Sequence, residues 1–320
     1  MFSEIKDYRA VFETLVTKTA DYLIQNNIKA QILGISGGID STVCAAICHE
    51  VSRRTGIPLI GRSLPTKNNK FEETNTANLV GKAFCNDYKV CYMQDIYNDI
   101  LYDIKNQEES GNLKDFQTSI ANGNIQARLR MIYLYNLASI YKGMVIDTDN
   151  LTENNLGYFT IHGDVGDFNP IGGLWKTEIF ELAKNIKSEY NLEILFNKSY
   201  LDQEIATSYF NKHKAVEESL KLQPTAGLGI TNNDLEELGA ESYEQVDSIL
   251  QEILAWKRFV KKQGVLPESI SEQKEMFLNE QQMLNIPINI IISVVNRHFN
   301  SEFKRKQFPI KITREWLLDD

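Results

Sequence analysis

The sequence has no apolar run long enough to cross a bilayer and no cysteine or histidine spacing typical of a metal cluster. Its four cysteines form no C-x-x-C pair, and none of its four histidines is assigned a catalytic role. The longest apolar run, residues 286–295, contains Pro287 and Asn289 and is interpreted as protein core. The first residues lack the pattern of a secretory signal, so we expect a cytoplasmic protein with free thiols.

Positive charge is also scarce in this chain. Lysine and arginine total 34 residues against 43 aspartates and glutamates, which gives a net charge of -9. Nucleic-acid binding depends on a basic surface that neutralises phosphates. We therefore expect small-molecule substrates, with neither a nucleic acid nor a membrane as partner.

Two common nucleotide-binding patterns are absent, namely G-x-x-x-x-G-K-[ST] and G-x-G-x-x-G. An apolar strand instead runs into a loop dense in phosphate-binding groups, formed by Gly34, Ile35, Ser36, Gly37, Gly38, Ile39, Asp40 and Ser41. Adjacent glycines let the backbone approach an anion, and the serine hydroxyls lie at the positive end of the following helix. Asp40 would repel bare phosphates, so its presence predicts a Mg²⁺ ion between them. The alternative interpretation is a plain Gly-Gly turn with a capping serine or aspartate.

Apolar strands and amphipathic helices alternate along the first two thirds of the chain. This pattern predicts an α/β fold with a doubly wound, mostly parallel sheet and helices on both faces, followed by a helical C-terminal part. We predict an α/β core at residues 1–190, a helical insertion at 191–222 and a C-terminal helical part at 223–320 that completes the site. Ligands of such sheets bind at the carboxyl ends of the strands.

A second group of polar residues follows the strand predicted at residues 143–147. Thr148 and Glu153 come directly after this strand, and Glu153 is the candidate second Mg²⁺ ligand. A long glycine-rich loop then leads to Lys176 at the start of the next helix, where its ammonium could reach a phosphate.

Six segments match, in order, the pattern of a known family. They are S-G-G-x-D-S at 36–41, N-x-x-A-R-x-R-M at 124–131, a segment at 147–153 that contains T-D-x-x-x-E, a segment at 157–167 that contains G-Y-F-T and G-D and ends at Asp167, L-x-K at 174–176 and P-T-A at 224–226. The first resembles the pyrophosphate-binding loop of the N-type ATP pyrophosphatases, and together they resemble the ammonia-dependent NAD synthetases. The resemblance spans nearly the whole chain.

The resemblance implies a fold like that of the adenine nucleotide alpha hydrolases and assigns roles by position. ATP, a co-substrate, would be bound by the loop with Thr148, Lys176 and Thr225, and Mg²⁺ by Asp40 and Glu153. Arg128, Asp167 and Lys304 would bind nicotinic acid adenine dinucleotide. Its carboxylate would attack the α phosphate of ATP, and ammonia would convert the acyl adenylate to NAD, leaving AMP and pyrophosphate. No protein nucleophile is required.

Each substrate-binding residue has a plainer interpretation as well. Arg128 could belong to a solvated basic helix face, Asp167 could form an Asx turn, and Lys304 could lie in a solvated tail. Three positions also differ from the family pattern, because Ile161 and Phe303 replace a frequent lysine and histidine, and Ser63 replaces a frequent arginine. These differences keep open nicotinic acid mononucleotide or another carboxylate as substrate.

Two kinds of rival function would use the same ATP-binding core. GMP synthetase, argininosuccinate synthetase and tRNA-modifying relatives keep the ATP chemistry and change the acceptor, while a non-catalytic nucleotide-sensing protein would keep only binding. Glutamine-dependent members of the family carry a large amidase domain before the loop, whereas about 30 residues precede it here, so we expect direct use of ammonia, or of ammonia from a separate glutaminase. The family resemblance also implies a homodimer, with the helix at residues 120–141 as the candidate interface.

Overall fold

A parallel sheet forms the centre of the molecule. The computed structural model describes residues 4–107, 115–191, 203–223, 234–280, 286–306 and 310–311. Within them the six strands lie side by side in the order β3-β2-β1-β4-β5-β6, and each neighbouring pair is parallel. The strands are β1 (Gln31–Gly34), β2 (Leu59–Ser63), β3 (Asp87–Val90), β4 (Met144–Ile146), β5 (Phe168–Asn169) and β6 (Ile310–Lys311).

Helices connect these strands and fill the C-terminal part of the chain. They are α1 (Tyr8–Gln25), α2 (Ile39–Thr55), α3 (Phe71–Phe84), α4 (Gln94–Gln107), α5 (Asp115–Tyr141), α6 (Leu151–Leu156), α7 (Lys176–Glu189), α8 (Gln203–Lys221), α9 (Asp234–Leu238), α10 (Tyr243–Lys262), α11 (Ile270–Glu280), α12 (Ile288–Asn300) and a 3₁₀ helix (Glu302–Lys306). None of the helices in the described ranges is long and apolar enough to cross a membrane.

Successive residues of the central strands pack into different cores. On β1, Leu33 joins the core formed with α1, α2, α3, α7 and α8, whereas Ile32 joins the core formed with α4 and α5. Val145 and Ile146 of β4 divide in the same way, as the two-residue period of a strand requires. The sheet is therefore covered by helices on both faces, which confirms the predicted doubly wound α/β class.

The strand order places two loops side by side. β1 pairs with β2 on one side and with β4 on the other, and Leu33 is in register with Ile146. The connections after β1 and β4 thus leave the same edge of the sheet in opposite directions, at a topological switch point. This is where open α/β sheets form their ligand sites.

The C-terminal helices form a separate hydrophobic cluster against α6 and the start of α7. Its members include Leu156, Trp175, Ile249 of α10, Phe277 of α11 and Val294 of α12. The apolar spacing of residues 272–299 predicts one helix, but residues 286 and 287 are not helical and α12 begins after Pro287. Proline has no N–H to donate and disfavours helical geometry in the residue before it.

Candidate active site

The loop after β1 turns tightly into α2 through two glycines. Gly37 has a φ of +88°, and a Cβ there would lie 2.5 Å from the backbone oxygen of Glu73 on α3. Only glycine fits this position. Gly38 is the N-cap of α2, and its N–H donates to the exposed Ser36 hydroxyl at 3.1 Å. The first N–H groups of α2 have no partner within the helix, so this turn presents donors suited to an anion.

The loop after β4 is closed by a capping box on α6. Asn150, the N-cap, accepts from the N–H of Glu153 at 2.9 Å, and the Glu153 carboxylate accepts from the N–H of Asn150 at 3.3 Å. The Asn150 amide nitrogen also donates to Oδ1 of Asp40 at 2.8 Å. One buried asparagine therefore holds both predicted metal ligands.

Lys176 joins the two loops. Its Nζ lies 2.6 Å from Oδ2 of Asp40 and 2.9 Å from Oε1 of Glu153, and its side chain is 1% exposed. Burial opposes the charge of this ammonium, but the carboxylates of Asp40 and Glu153 outweigh that effect and raise the pKa of Lys176 well above its usual value. The site thus holds a permanent cation between two carboxylates.

A buried carboxylate from the C-terminal helices supports this arrangement. Asp247 on α10 accepts from the hydroxyl of Thr152 and from the N–H and hydroxyl of Thr177, and the Thr152 oxygen accepts from the N–H of Lys176. Burial raises the pKa of Asp247 to about 6, against the hydrogen bonds from Thr152 and Thr177. The N-cap residue of α7 does not cap the helix with its side chain, and Asp247 instead accepts from the N–H of Thr177 in the first turn.

The donor set fits one hard divalent cation. Asp40 and Glu153 present two carboxylates that approach the same ammonium, and Mg²⁺ is commonly held by one or two carboxylates plus phosphate oxygens. In the described part of the chain, no group of three or more histidine, cysteine, aspartate or glutamate side chains could hold a metal ion. A cation at Asp40 and Glu153 would therefore need phosphate or water oxygens as further ligands.

The three predicted substrate-binding residues surround the glycine-rich loop at 157–167. Arg128 is exposed on α5, with its guanidinium 3.3 Å from the carbonyl of Ile161. Lys304 donates to the carbonyls of Gly157 and Phe159 at 2.8 and 2.7 Å. Asp167 lies at the other end of this loop.

The carboxylate of Asp167 has two partners in the fold. It accepts from the Tyr135 hydroxyl at 2.9 Å and from the N–H of Val145 at 3.0 Å. Burial and the nearby Asp167 carboxylate raise the pKa of Tyr135, so this hydroxyl stays protonated as a donor. Asp167 therefore links the glycine-rich loop to α5 and β4.

Comparison with known proteins identifies the family. The sequence model described as NAD synthase matches residues 11–308. The chain belongs to the NAD synthase family. It is 32% identical over 252 residues to the NH(3)-dependent NAD(+) synthetase of Methanococcoides burtonii, covering 76% of this chain and 80% of that protein. It is 29% identical to the Methanocaldococcus jannaschii protein of that name, over 93% of this chain and 96% of the other.

A solved structure confirms the fold of this NAD synthase family member. The structure of NMN synthetase from Francisella tularensis superposes with a TM-score of 0.66 at 24% identity, covering 95% of this chain and 98% of that one. Family membership makes the chain an ATP-dependent ligase of NAD biosynthesis, with ammonia as the amide donor. The predicted family and enzyme class are therefore confirmed, and a purely nucleotide-sensing role is set aside.

Two further residues of the NAD synthase site were predicted to bind ATP, namely Thr148 and Thr225. Thr148 is half-buried in the loop after β4, beside the buried Asp147. Thr225, predicted to bind ATP, lies outside the described residues. Sequence reasoning missed Asn150 and Asp247. Asn150 could have been found from the N-x-x-E capping pattern at 150–153, whereas no local pattern marks Asp247.

The adjacent Arg62 does not replace the family arginine at Ser63. Its guanidinium donates to the Asp87 carboxylate at 2.8 Å, and its side chain is 3% exposed. Neighbouring strand residues point to opposite faces of a sheet, so the side chains of Arg62 and Ser63 lie on opposite faces. The substituted positions Ile161 and Phe303 are half-buried and exposed, respectively.

Proposed function

We propose that the chain amidates nicotinic acid adenine dinucleotide to NAD, using ATP and ammonia and releasing AMP and pyrophosphate. One observation carries this proposal: Asp40 and Glu153 both contact Lys176, beside the turn at 36–41 and at the switch point of the sheet. In-line transfer at a phosphorus centre depends on positioning and charge neutralisation more than on a protein nucleophile. This site supplies both.

Each residue has a part in the adenylation step. The serines and N–H groups of the turn at 36–41 would hold the β and γ phosphates, with Thr148 and Thr225 completing the ATP site. Asp40 and Glu153 would hold Mg²⁺, which neutralises phosphate charge and orients the leaving group when bound. With Mg²⁺ held by the two carboxylates, the Lys176 ammonium would be free to donate to a phosphate oxygen.

The acid substrate would lie along the loop at 157–167. Arg128 is the exposed cation there, and we propose that it binds a phosphate or carboxylate of the dinucleotide. Lys304 and Asp167 would shape that loop and contact the substrate from it, since Lys304 bonds its carbonyls and Asp167 bonds Tyr135 on α5.

The substrate is tested by comparing two acids. Purified protein would be given ATP, Mg²⁺, ammonia and either nicotinic acid adenine dinucleotide or nicotinic acid mononucleotide, and pyrophosphate release would be followed. We expect the dinucleotide to have the higher kcat/KM. A higher value for the mononucleotide would move the function to that acid, the alternative suggested by Ile161 and Phe303. If neither acid supports pyrophosphate release, the proposal is overturned.

The source of the amide nitrogen is tested in the same assay. Family membership assigns ammonia, and we expect glutamine alone to support no turnover. Adding a separate glutaminase to the glutamine reaction should restore turnover to the level set by the ammonia it produces.

We also propose a homodimer built on α5. Ile132 and Ile140 are 65% and 64% exposed on this helix, and they lie about 80° apart around its axis. A dimer interface on α5 would remove these apolar side chains from water. Light scattering should give a dimer for the wild type and a monomer for Ile132→Lys. An unchanged dimer would exclude this interface.

Location and domain limits follow as smaller proposals. The four cysteines are free, with Cys44 and Cys48 buried in the first core, which suits a reducing cytoplasm. We retain the division at residues 190 and 222 as a proposal, to be tested by limited proteolysis.

A further inference from the structure

The last turn of α8 contacts the phosphate-binding turn at 36–41 from the side of the protein core. Ser219 is fully buried, and its hydroxyl donates to the carbonyl of Gly37 at 2.8 Å, across 182 residues of sequence. The same hydroxyl lies 2.7 Å from the Thr42 hydroxyl at the start of α2. This helix belongs to the segment for which the sequence suggests no role in chemistry.

The bond to the Gly37 carbonyl determines which way the next N–H points. The carbonyl of Gly37 and the N–H of Gly38 belong to one planar trans peptide, so they point in opposite directions. With the carbonyl held inward by Ser219, the N–H faces the exposed Ser36 hydroxyl at 3.1 Å. A flipped peptide would instead aim the negative end of its dipole at a bound phosphate.

Steric restraint alone does not hold this peptide. Both of its residues are glycines, which have no Cβ to restrict rotation about the flanking bonds. Thr42 has another acceptor, because its hydroxyl also lies 2.9 Å from the carbonyl of Gly38. Loss of the Ser219 hydroxyl would therefore leave Thr42 bonded and remove the side-chain donor that Ser219 gives to the Gly37 carbonyl.

We propose that Ser219 is a positioning residue for ATP, which acts by fixing the peptide between Gly37 and Gly38 with its N–H toward the phosphates. The inference rests on the proposed function, since it requires that ATP bind at this loop. α8 ends at Lys221, two residues after Ser219, so its last turn carries this contact with the phosphate-binding turn. The helical insertion thereby gains a part in ATP binding.

The test compares three variants of the full chain. Ser219→Ala removes the hydroxyl, Ser219→Thr keeps it, and Thr207→Ala removes an exposed hydroxyl from the same helix as a matched control. Calorimetric titration with ATP and Mg²⁺ gives the Kd without turnover, while steady-state assays give the KM for ATP, the KM for the acid and kcat. Thermal melting of each variant shows whether it is folded.

We expect Ser219→Ala to weaken ATP binding about tenfold, which is the effect of losing one buried hydrogen bond. The KM for ATP should rise by the same factor. The KM for the acid should stay near the wild-type value, and Ser219→Thr should bind ATP more tightly than Ser219→Ala. A merely structural role would lower the melting temperature and leave the Kd of the folded protein unchanged, which would overturn the inference.

The wild-type titration separates the two proposals. If the wild type binds ATP and Ser219→Ala binds it equally well, only the positioning role fails. If the wild type does not bind ATP with Mg²⁺, the proposed function fails, and the positioning role fails with it.

Discussion

Lys176 and Asp40 are 136 residues apart in the sequence and meet with 2.6 Å between Nζ and Oδ2. They come from different connections of the sheet, and their contact brings the starts of α2 and α7 together. Glu153 completes the group from the start of α6. Three helix N-termini thus converge on one buried ammonium and two carboxylates.

Replacing the ammonium should make the free protein depend on a cation. Lys176→Met leaves Asp40 and Glu153 without their shared partner, and we expect a loss of about 3 kcal/mol in the free energy of unfolding. Mg²⁺ should raise the melting temperature of this variant more than that of the wild type, since the cation can replace the ammonium. Thermal melting in EDTA and in millimolar Mg²⁺ measures both effects. Lys184→Met, which breaks an exposed ion pair on the same helix, is the control, and an equal Mg²⁺ response in both variants would contradict the expectation.

Removing either carboxylate charge should reduce turnover. We expect Asp40→Asn and Glu153→Gln each to lower kcat/KM for ATP by about 100-fold or more, because preorganised charge at the phosphates is lost. Pyrophosphate release at varied Mg²⁺ concentration is the measurement. Glu181→Gln on the exposed side of α7 should behave as the wild type. Half or more of the wild-type activity in both site variants would remove these residues from the mechanism.

Truncating Asp247 should destabilise the whole site. Asp247→Ala leaves the hydroxyls of Thr152 and Thr177 and the N–H of Thr177 without their acceptor, and we expect a loss of about 3 kcal/mol in the free energy of unfolding. Urea denaturation measures this loss. The control is Glu252→Ala on the exposed face of the same helix, which should cost under about 0.5 kcal/mol. Equal midpoints for the two variants would count against the Asp247 network.

The buried His298 should make the protein sensitive to acid. Burial, together with the cations of Arg305 and Lys257, lowers the pKa of His298 well below its usual value, so the folded protein keeps it neutral. Below pH 6.5 the unfolded chain binds a proton that the folded chain does not, and stability is lost as the pH falls. The slope reaches about 1.4 kcal/mol per pH unit.

The histidine contribution can be isolated by substitution. His298→Asn should be less stable at pH 7 but should show a flatter fall in the free energy of unfolding between pH 6.5 and 5 than the wild type. His162→Asn is a suited control, because His162 is exposed with a φ of 59° that asparagine tolerates. An unchanged slope in His298→Asn would show that other groups cause the acid sensitivity.

Local patterns predicted much of this fold and part of the site. The alternation of apolar strands and amphipathic helices predicted the α/β class, and the order of strands and helices places the loops after β1 and β4 together. The contacts of Asp247 and Ser219 cross 95 and 182 residues and depend on how helices pack on the sheet, which no local pattern encodes. The break between α11 and α12 was foreseeable from Pro287, whose effect outweighs the apolar pattern around it.

The products of ATP test the central claim most directly. With ATP, Mg²⁺, ammonia and nicotinic acid adenine dinucleotide, ³¹P NMR should show one AMP and one pyrophosphate for each amide formed, and neither product should accumulate with Asp40→Asn. ADP and inorganic phosphate in place of AMP and pyrophosphate, or products unaffected by Asp40→Asn, would contradict adenylation at this site.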